Sequence, residues 1–195
     1  LIVDNAAGTT RLTITAEAPV TADLAFGAQI EVEQSSNNSG IVTLHTGAGD
    51  NNQLNRSFTE RVAEVTATHK RFGKISLGQG STATDAIVES DLSGTPTSGN
   101  YADSATIGTA LLFFNTRTQS WDGPAVGDVV VSLNGSLDDR IRYDTPTYGG
   151  FFASASFTSG GPGEGALRYT GKLGPFELAA ALGYANLNGI NATVD

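Results

Sequence analysis

The side chains able to do chemistry in this chain are its ionisable groups, and their placement is regular. Arg11, Glu17, Glu31, Arg140, Arg142 and Arg168 each sit beside an apolar residue in segments that alternate polar and apolar. Charges spaced in this way share the polar face of a strand, where they can act on small ions and polar molecules or pair with one another across strands. Nucleophilic catalysis needs a base next to a nucleophile, and the only histidines are His45, in a loop-like stretch, and His69, near the end of a predicted strand. Neither lies in a recognisable motif, so no active site is expected. The glycine cluster Gly160 to Gly165 lacks the helix that a phosphate-cradling loop requires and reads as a turn. The acidic turns Gly49-Asp50-Asn51-Asn52 and Asp138-Asp139 lack the ligand spacing of a calcium loop, so neither a metal nor a cofactor is expected. Asn-x-Ser/Thr matches at Asn37, Asn55, Asn134 and Asn191 are what chance gives in a chain rich in Asn and Ser.

Composition limits what can position these groups. Charged residues are 16% of the 195, against roughly 25% in a typical soluble domain, and the shortfall is filled by Gly, Ser, Thr, Asn and Ala. Disordered chains of low hydrophobicity carry far more charge, so disorder is disfavoured. The absence of cysteine excludes a disulfide scaffold and a thiolate metal site. A net charge of −9 excludes the basic face that nucleic acid needs. No run approaches the roughly 20 apolar residues of a membrane-spanning helix; one of the longest, Ala110 to Phe114, is short. Leu1 to Val3 runs straight into Asp4 with no leader pattern, as expected of a mature or truncated chain if the protein is exported.

The elements that carry the charges are strands of about ten residues. In Arg11 to Ala18, Leu12, Ile14 and Ala16 fall on one face and Arg11, Thr13, Thr15 and Glu17 on the other. After a Pro19 to Thr21 turn, Leu24, Phe26, Ala28, Ile30 and Val32 alternate with a row that contains Glu31 and Glu33. Ser35 to Asn55 has loop composition. A third strand is predicted over Arg61 to Lys70 with Ala63, Val65 and Ala67 on its apolar face, and a fourth over Lys74 to Leu77 after the Arg71-Phe72-Gly73 turn. The rhythm breaks from Gln79 to Asp139, around the apolar island Gly108 to Phe114. It resumes at Arg140 to Tyr143, passes a Thr145-Pro-Thr turn, continues through Phe151, Ala153, Ala155 and Phe157, and ends in strands over Ala166 to Lys172 and Phe176 to Tyr184. Short turns at one end and long loops at the other are typical of outer-membrane barrels.

What the apolar face meets separates two architectures. In a soluble sandwich it builds one packed core of large interdigitated residues. In a membrane barrel it meets lipid, which asks for no shape complementarity, and the polar face lines water. Small alanines on the apolar rows and ionisable groups on the polar rows favour the barrel, although a lectin-like sandwich with a solvated outer face has the same period. A soluble or surface-exposed β-sandwich that binds glycans or mediates adhesion therefore stays open at this point, as does, more weakly, a barrel-borne enzyme.

Particular runs add a resemblance. Arg61-Val-Ala-Glu-Val followed by Arg71-Phe-Gly-Lys-Ile-Ser-Leu-Gly-Gln79, then Asp139-Arg-Ile-Arg-Tyr-Asp-Thr-Pro146 and Tyr148-Gly-Gly-Phe-Phe-Ala-Ser-Ala-Ser156, resemble the general diffusion porins of Gram-negative bacteria, alphaproteobacterial ones in particular. The likeness spans Thr9 to Asn186. It implies an all-β fold, an antiparallel transmembrane β-barrel of about 16 strands when complete, with about half of them in this chain. It also implies a homotrimer, contact with outer-membrane lipid and lipopolysaccharide, and a water-filled channel for passive diffusion of small hydrophilic solutes and ions. Residues 1–195 would then be a partial barrel, with 79–139 as an inserted loop that folds inward and narrows the pore. On that likeness Asp85, Glu89 and Asp91 of the loop face Arg11, Arg140, Arg142 and Arg168 of the wall across the constriction, and Glu31 also lines the pore. Tyr148 and Tyr184, near strand ends, would sit at headgroup level.

Overall fold

The computed structural model describes residues 9–35, 57–90, 92, 108–130, 133–159, 161 and 163–186. All but the first residue of the expected Ser35 to Asn55 loop lies outside the described residues, as do His45, Asp91 and Tyr101. Eight strands form one sheet in sequence order: β1 (Thr10–Pro19), β2 (Leu24–Ser35), β3 (Ser57–His69), β4 (Gly73–Ser81), β5 (Leu137–Asp144), β6 (Phe151–Thr158), β7 (Gly163–Leu173) and β8 (Phe176–Ala185). From β3 onward each strand pairs antiparallel with the next. The helix among the described residues, α1 (Val126–Val129), is a single turn.

Tight turns close one end of the sheet, each with a local cause. Between β1 and β2 the Val20 and Thr21 amides both donate to Leu24 O, at 2.9 and 3.1 Å, and the Leu24 amide donates to Thr21 Oγ1 at 3.0 Å. Between β3 and β4, Gly73 has φ +91, and a Cβ there would lie 2.1 Å from Asp144 O, so only glycine fits. Between β5 and β6, Tyr148 and Phe151 exchange two backbone bonds of 2.9 Å around Gly149 and Gly150, both at positive φ. The two longest connections, 36–56 and 82–136, leave from the opposite end.

Burial in this sheet is inverted relative to a soluble protein. The large apolar side chains are exposed: Leu12, Ile14, Phe26, Ile30, Val65, Ile141, Phe157 at 66% and Leu182 at 72%. The buried residues are mostly polar, Ser76, Thr82, Thr84, Arg140, Asp144, Ser154 and Ser156, with Ala83 and Ala166 as the apolar exceptions. Register shows that each set occupies one face. Ile75 pairs with Tyr143, Leu77 with Ile141, Ile141 with Phe157 and Leu167 with Leu182, while Ser76 pairs with Arg142, Arg142 with Ser156 and Asp144 with Ser154. Among the described residues no second sheet covers the apolar face. Aromatic residues gather at both of its ends, Phe72, Tyr148 and Phe176 by the turns and Tyr184 at the far end. Phe176 to Tyr184 spans about 27 Å of strand, which at a tilt of about 40° rises about 21 Å, most of an apolar band about 25 Å tall.

The strands extend further than alternation indicates. β4 reaches Ser81, β5 begins at Leu137 and β7 begins at Gly163. The chain between β4 and β5 is therefore 82–136.

Candidate functional site

The chain forms two compact units, Thr13–Glu31 with Glu60–Leu92 and Asn134–Asp195 in one, and Leu1–Leu12 with Val32–Thr59 and Ser93–Leu133 in the other. In the first, the chain leaving β4 lies on the polar face of β5 to β8. Its backbone has no strand partner there, so its N–H and C=O groups are satisfied by local turn bonds and by wall side chains. Ala83 N–H donates to Ser156 Oγ at 2.8 Å, and Thr84 donates to Glu164 Oε2 through its amide at 3.1 Å and its hydroxyl at 2.7 Å. Thr82 N–H donates to Ser136 O at 3.0 Å and Gly135 N–H to Thr84 O at 3.1 Å, which ties the return of the chain to its departure. At Gly135 a Cβ would meet Thr82 Oγ1, Asp85 N and Thr84 Oγ1 within 2.6 Å, so this closeness depends on glycine.

Three arginines supply the other half of the attachment. Arg140, only 6% exposed, donates from Nε to Ser81 O at 3.0 Å and from Nη1 to Gly78 O at 2.8 Å, and its Nη2 pairs with Glu64. Arg142 donates from Nη1 to Ser81 O at 3.1 Å and Thr82 O at 2.8 Å, and from Nε to Asp144 Oδ1 at 2.8 Å. Arg168 donates from Nη1 to Ser154 Oγ at 3.0 Å and from Nη2 to Ala83 O at 3.0 Å and Asp85 O at 2.6 Å. The planar guanidinium suits this task because several N–H groups point at once in fixed directions. Arg140, Arg142 and Arg168 are thus brought together, as their shared polar row leads one to expect. They meet the backbone of 81–85 directly.

Asp85 lies close enough to Arg168 for its charge to act on the guanidinium, and the loop acids also make local hydrogen bonds. Asp85 turns its carboxylate to its neighbour, accepting the Ala86 amide at 3.1 Å where Ala86 has a positive φ of 58. Glu89 accepts from Asn134 Nδ2 at 2.7 Å, and Asn134 Oδ1 accepts the Val88 amide at 3.3 Å. Asp91 lies outside the described residues. Glu31 takes Thr13 Oγ1 at 2.7 Å and Arg61 Nε at 2.9 Å. The acids that do pair with the clustered arginines, Glu64 and Asp144, escaped the sequence reading. Both were visible in it, since Glu64 alternates with Ala63 and Val65 and Asp144 continues the row of Arg140 and Arg142.

Within the other unit, Arg11 donates from Nε to Thr9 Oγ1 at 3.1 Å, and Thr9 Oγ1 donates to Glu33 at 2.7 Å. The apolar island belongs to a small hairpin. Leu112 bridges Ala125, Asn115 bridges Ser120, and Phe114 meets Trp121 edge to face at 5.1 Å. Within this hairpin Phe113 and Phe114 remain 46% and 41% exposed. Hairpin pairing satisfies its backbone without burial. The Asn115 side-chain Oδ1 caps the turn, accepting the Arg117 amide at 3.0 Å, and hydrogen bonds from Ser120 and Thr118 hold the Asp122 carboxyl below the usual carboxylate range. The Ala125 amide donates to Asp128 at the start of α1.

Among the described residues no group of acids and histidines is arranged to hold a metal ion. His69 ends β3, where its Nδ1 accepts the Arg71 amide at 3.1 Å and its ring lies 4.6 Å from Phe72. No curated protein sequence matches the chain significantly. The profile of the family described as Gram-negative porin matches residues 2–195, and with the inverted single sheet this makes the chain a member of the Gram-negative porin family, a β-barrel protein of the bacterial outer membrane.

Proposed function

We propose that the chain forms part of the wall and the narrowing of a water-filled channel through which small hydrophilic solutes and ions diffuse passively. The inverted burial carries this reading: a face of exposed Leu, Ile and Phe suits lipid, and a face of buried Ser, Thr, Arg and Asp suits a wet lumen. Residues 79–139 supply the constriction, held inward by Arg140, Arg142 and Arg168 through the backbone of 81–85. Arg11, Glu31, Asp85, Glu89 and Asp91 complete the charges along the path. Selectivity then comes from size and from the field of fixed charges. No catalytic step is assigned, and porins are in general not enzymes. The working assembly is a homotrimer seated in outer-membrane lipid and lipopolysaccharide.

The experiment is reconstitution of the full-length protein in planar bilayers. Discrete ohmic steps and a reversal potential that moves when Glu64→Gln or Asp144→Asn frees a positive charge are expected. A protein that leaves membranes with mild alkali and stays soluble without detergent would end the channel reading.

A further inference from the structure

Beside the loop attachment the polar face holds a cavity of about 260 Å³, lined by Gln29, Val62, Glu64, Lys74, Ser76, Ser81, Arg140 and Arg142. Its donors and acceptors are unbalanced. Ser76 is 1% exposed, yet its Oγ makes no hydrogen bond within the protein; among the described residues, only Thr82 Oγ1 shares that condition. Among the described residues Lys74 has one ionic neighbour, Asp144 Oδ2 at 4.0 Å, which is long for a hydrogen bond. Arg142 commits Nε and Nη1 and leaves the two N–H groups of Nη2 over. The local acids are already engaged, Glu64 by Arg140 and Asp144 by Arg142. Three cations against two carboxylates leave about one positive charge.

These three donors converge by register. Ser76 and Arg142 are direct cross-strand partners on β4 and β5, and Lys74 stands two residues before Ser76 on the same face, opposite Asp144. Facing side chains in such a pair start about 5 Å apart and same-face neighbours about 7 Å. A group with two or three oxygens at one carbon or phosphorus can touch all three. A buried hydroxyl without a partner is costly, and the site is too polar for an apolar occupant. The volume is below the usual range for drug-sized ligands and suits a molecule of a few heavy atoms.

We propose that Lys74, Ser76 and Arg142 form a saturable binding site for a small monovalent carboxylate on the channel wall. The inference rests on the channel reading and departs from it in one respect: this solute is held briefly on its way. Ser76 donates its hydroxyl proton to one carboxylate oxygen, and Lys74 and Arg142 Nη2 share the second. Arg140 contributes charge and holds Glu64 away from the bound anion.

Two measurements on the full-length protein test it with acetate as the probe. Calorimetry in detergent against a chloride background should show one site per chain with half-saturation on the order of millimolar. Lys74→Gln should weaken it about ten-fold and Ser76→Ala about five-fold, whereas Lys172→Gln, which removes a positive charge from another strand, should leave it unchanged. In planar bilayers, acetate at constant ionic strength should reduce chloride current over the same concentration range. A conducting channel with no acetate heat and no saturation overturns the site and leaves the channel reading intact. Heat without conductance supports the site and counts against the channel. Equal losses in Lys172→Gln and Lys74→Gln overturn the site, since the effect would then be net charge alone.

Discussion

Arg168→Gln is the substitution that best separates attachment of the inward chain from stability of the wall. The Arg168 guanidinium bonds Ala83 O at 3.0 Å and Asp85 O at 2.6 Å, while its own backbone stays in the ladder, opposite Phe152 on one side and Ala181 on the other. Hydrogen bonds from a charged donor contribute about 1.5–3 kcal/mol each, and because the side chain is half-exposed the lower value applies. Losing two gives about 3 kcal/mol for releasing 82–86, which corresponds to about a 100-fold rise in local opening. Amide hydrogen exchange in micelles reads this directly, since Ala83 and Thr84 amides are protected by Ser156 Oγ and Glu164 Oε2 on the wall. Their exchange should accelerate about 100-fold, with β7 and β8 amides unchanged. Arg168→Lys keeps the charge without the fork and should restore only part of the protection. Unchanged exchange at Ala83 and Thr84 would refute the attachment. Equal acceleration throughout β7 would show that Arg168 supports the sheet and not the loop.

Three further outcomes are expected. Ile141→Arg puts a charge in the middle of the exposed apolar face, where Ile141 is 58% exposed between Leu77 and Phe157, and should destabilise the folded barrel by about 2–4 kcal/mol in urea titrations in lipid vesicles. Gly78→Ala should impair folding by about 1–3 kcal/mol, measured by the yield of heat-modifiable protein on gels, because φ is +114 and the new Cβ would lie 2.3 Å from Ala63 O. Ser120→Ala should raise the Asp122 pKa toward its ordinary value in an NMR titration. The depressed carboxyl adds to hairpin stability above its unfolded pKa, and that contribution fades as pH falls through the folded value, so the variant should be less sensitive to acid there.

How far the fold was legible depended on whether side chains carried the alternation. β1, β2, β6 and β8 were readable because a two-residue period of Leu, Ile and Phe against Thr, Ser and Glu survives in them. The end of β4 was not, because Gly78 and Gly80 have no side chain to show a face. Gly78 is glycine for its approach to the Ala63 carbonyl, and Gly80 because a Cβ would lie 2.7 Å from Arg140 Nη2. Gly163 and Gly165 hid the start of β7 in the same way. At the site, parity put Arg140, Arg142 and Arg168 on one face. Their acceptors could not be read, since the carbonyls of Gly78, Ser81, Thr82, Ala83 and Asp85 leave no mark in residue type. The hairpin around Phe114 and Trp121 was hidden because two short bridges show no period.

That backbone carbonyls, and not loop acids, take the arginine donors bears on what the channel can select. A chain crossing a wet lumen could leave its carbonyls to water, but it would then hold no fixed diameter. In the proposed channel, side-chain donors from the wall fix it. The same contacts draw on the positive charge: Arg140 is balanced by Glu64 and Arg142 by Asp144, so these two arginines add little net field for a passing ion. Lys74, half-exposed and 4.0 Å from Asp144, and the remaining Nη2 of Arg142 are the positive groups of this cluster that stay open to a solute. It follows that counting arginines on the wall overstates anion preference, and that neutralising Glu64 or Asp144 should move the reversal potential in the direction opposite to neutralising Arg140. The first change exposes a charge held in place by backbone contacts, whereas the second leaves a carboxylate and also slackens the attachment at Gly78 and Ser81.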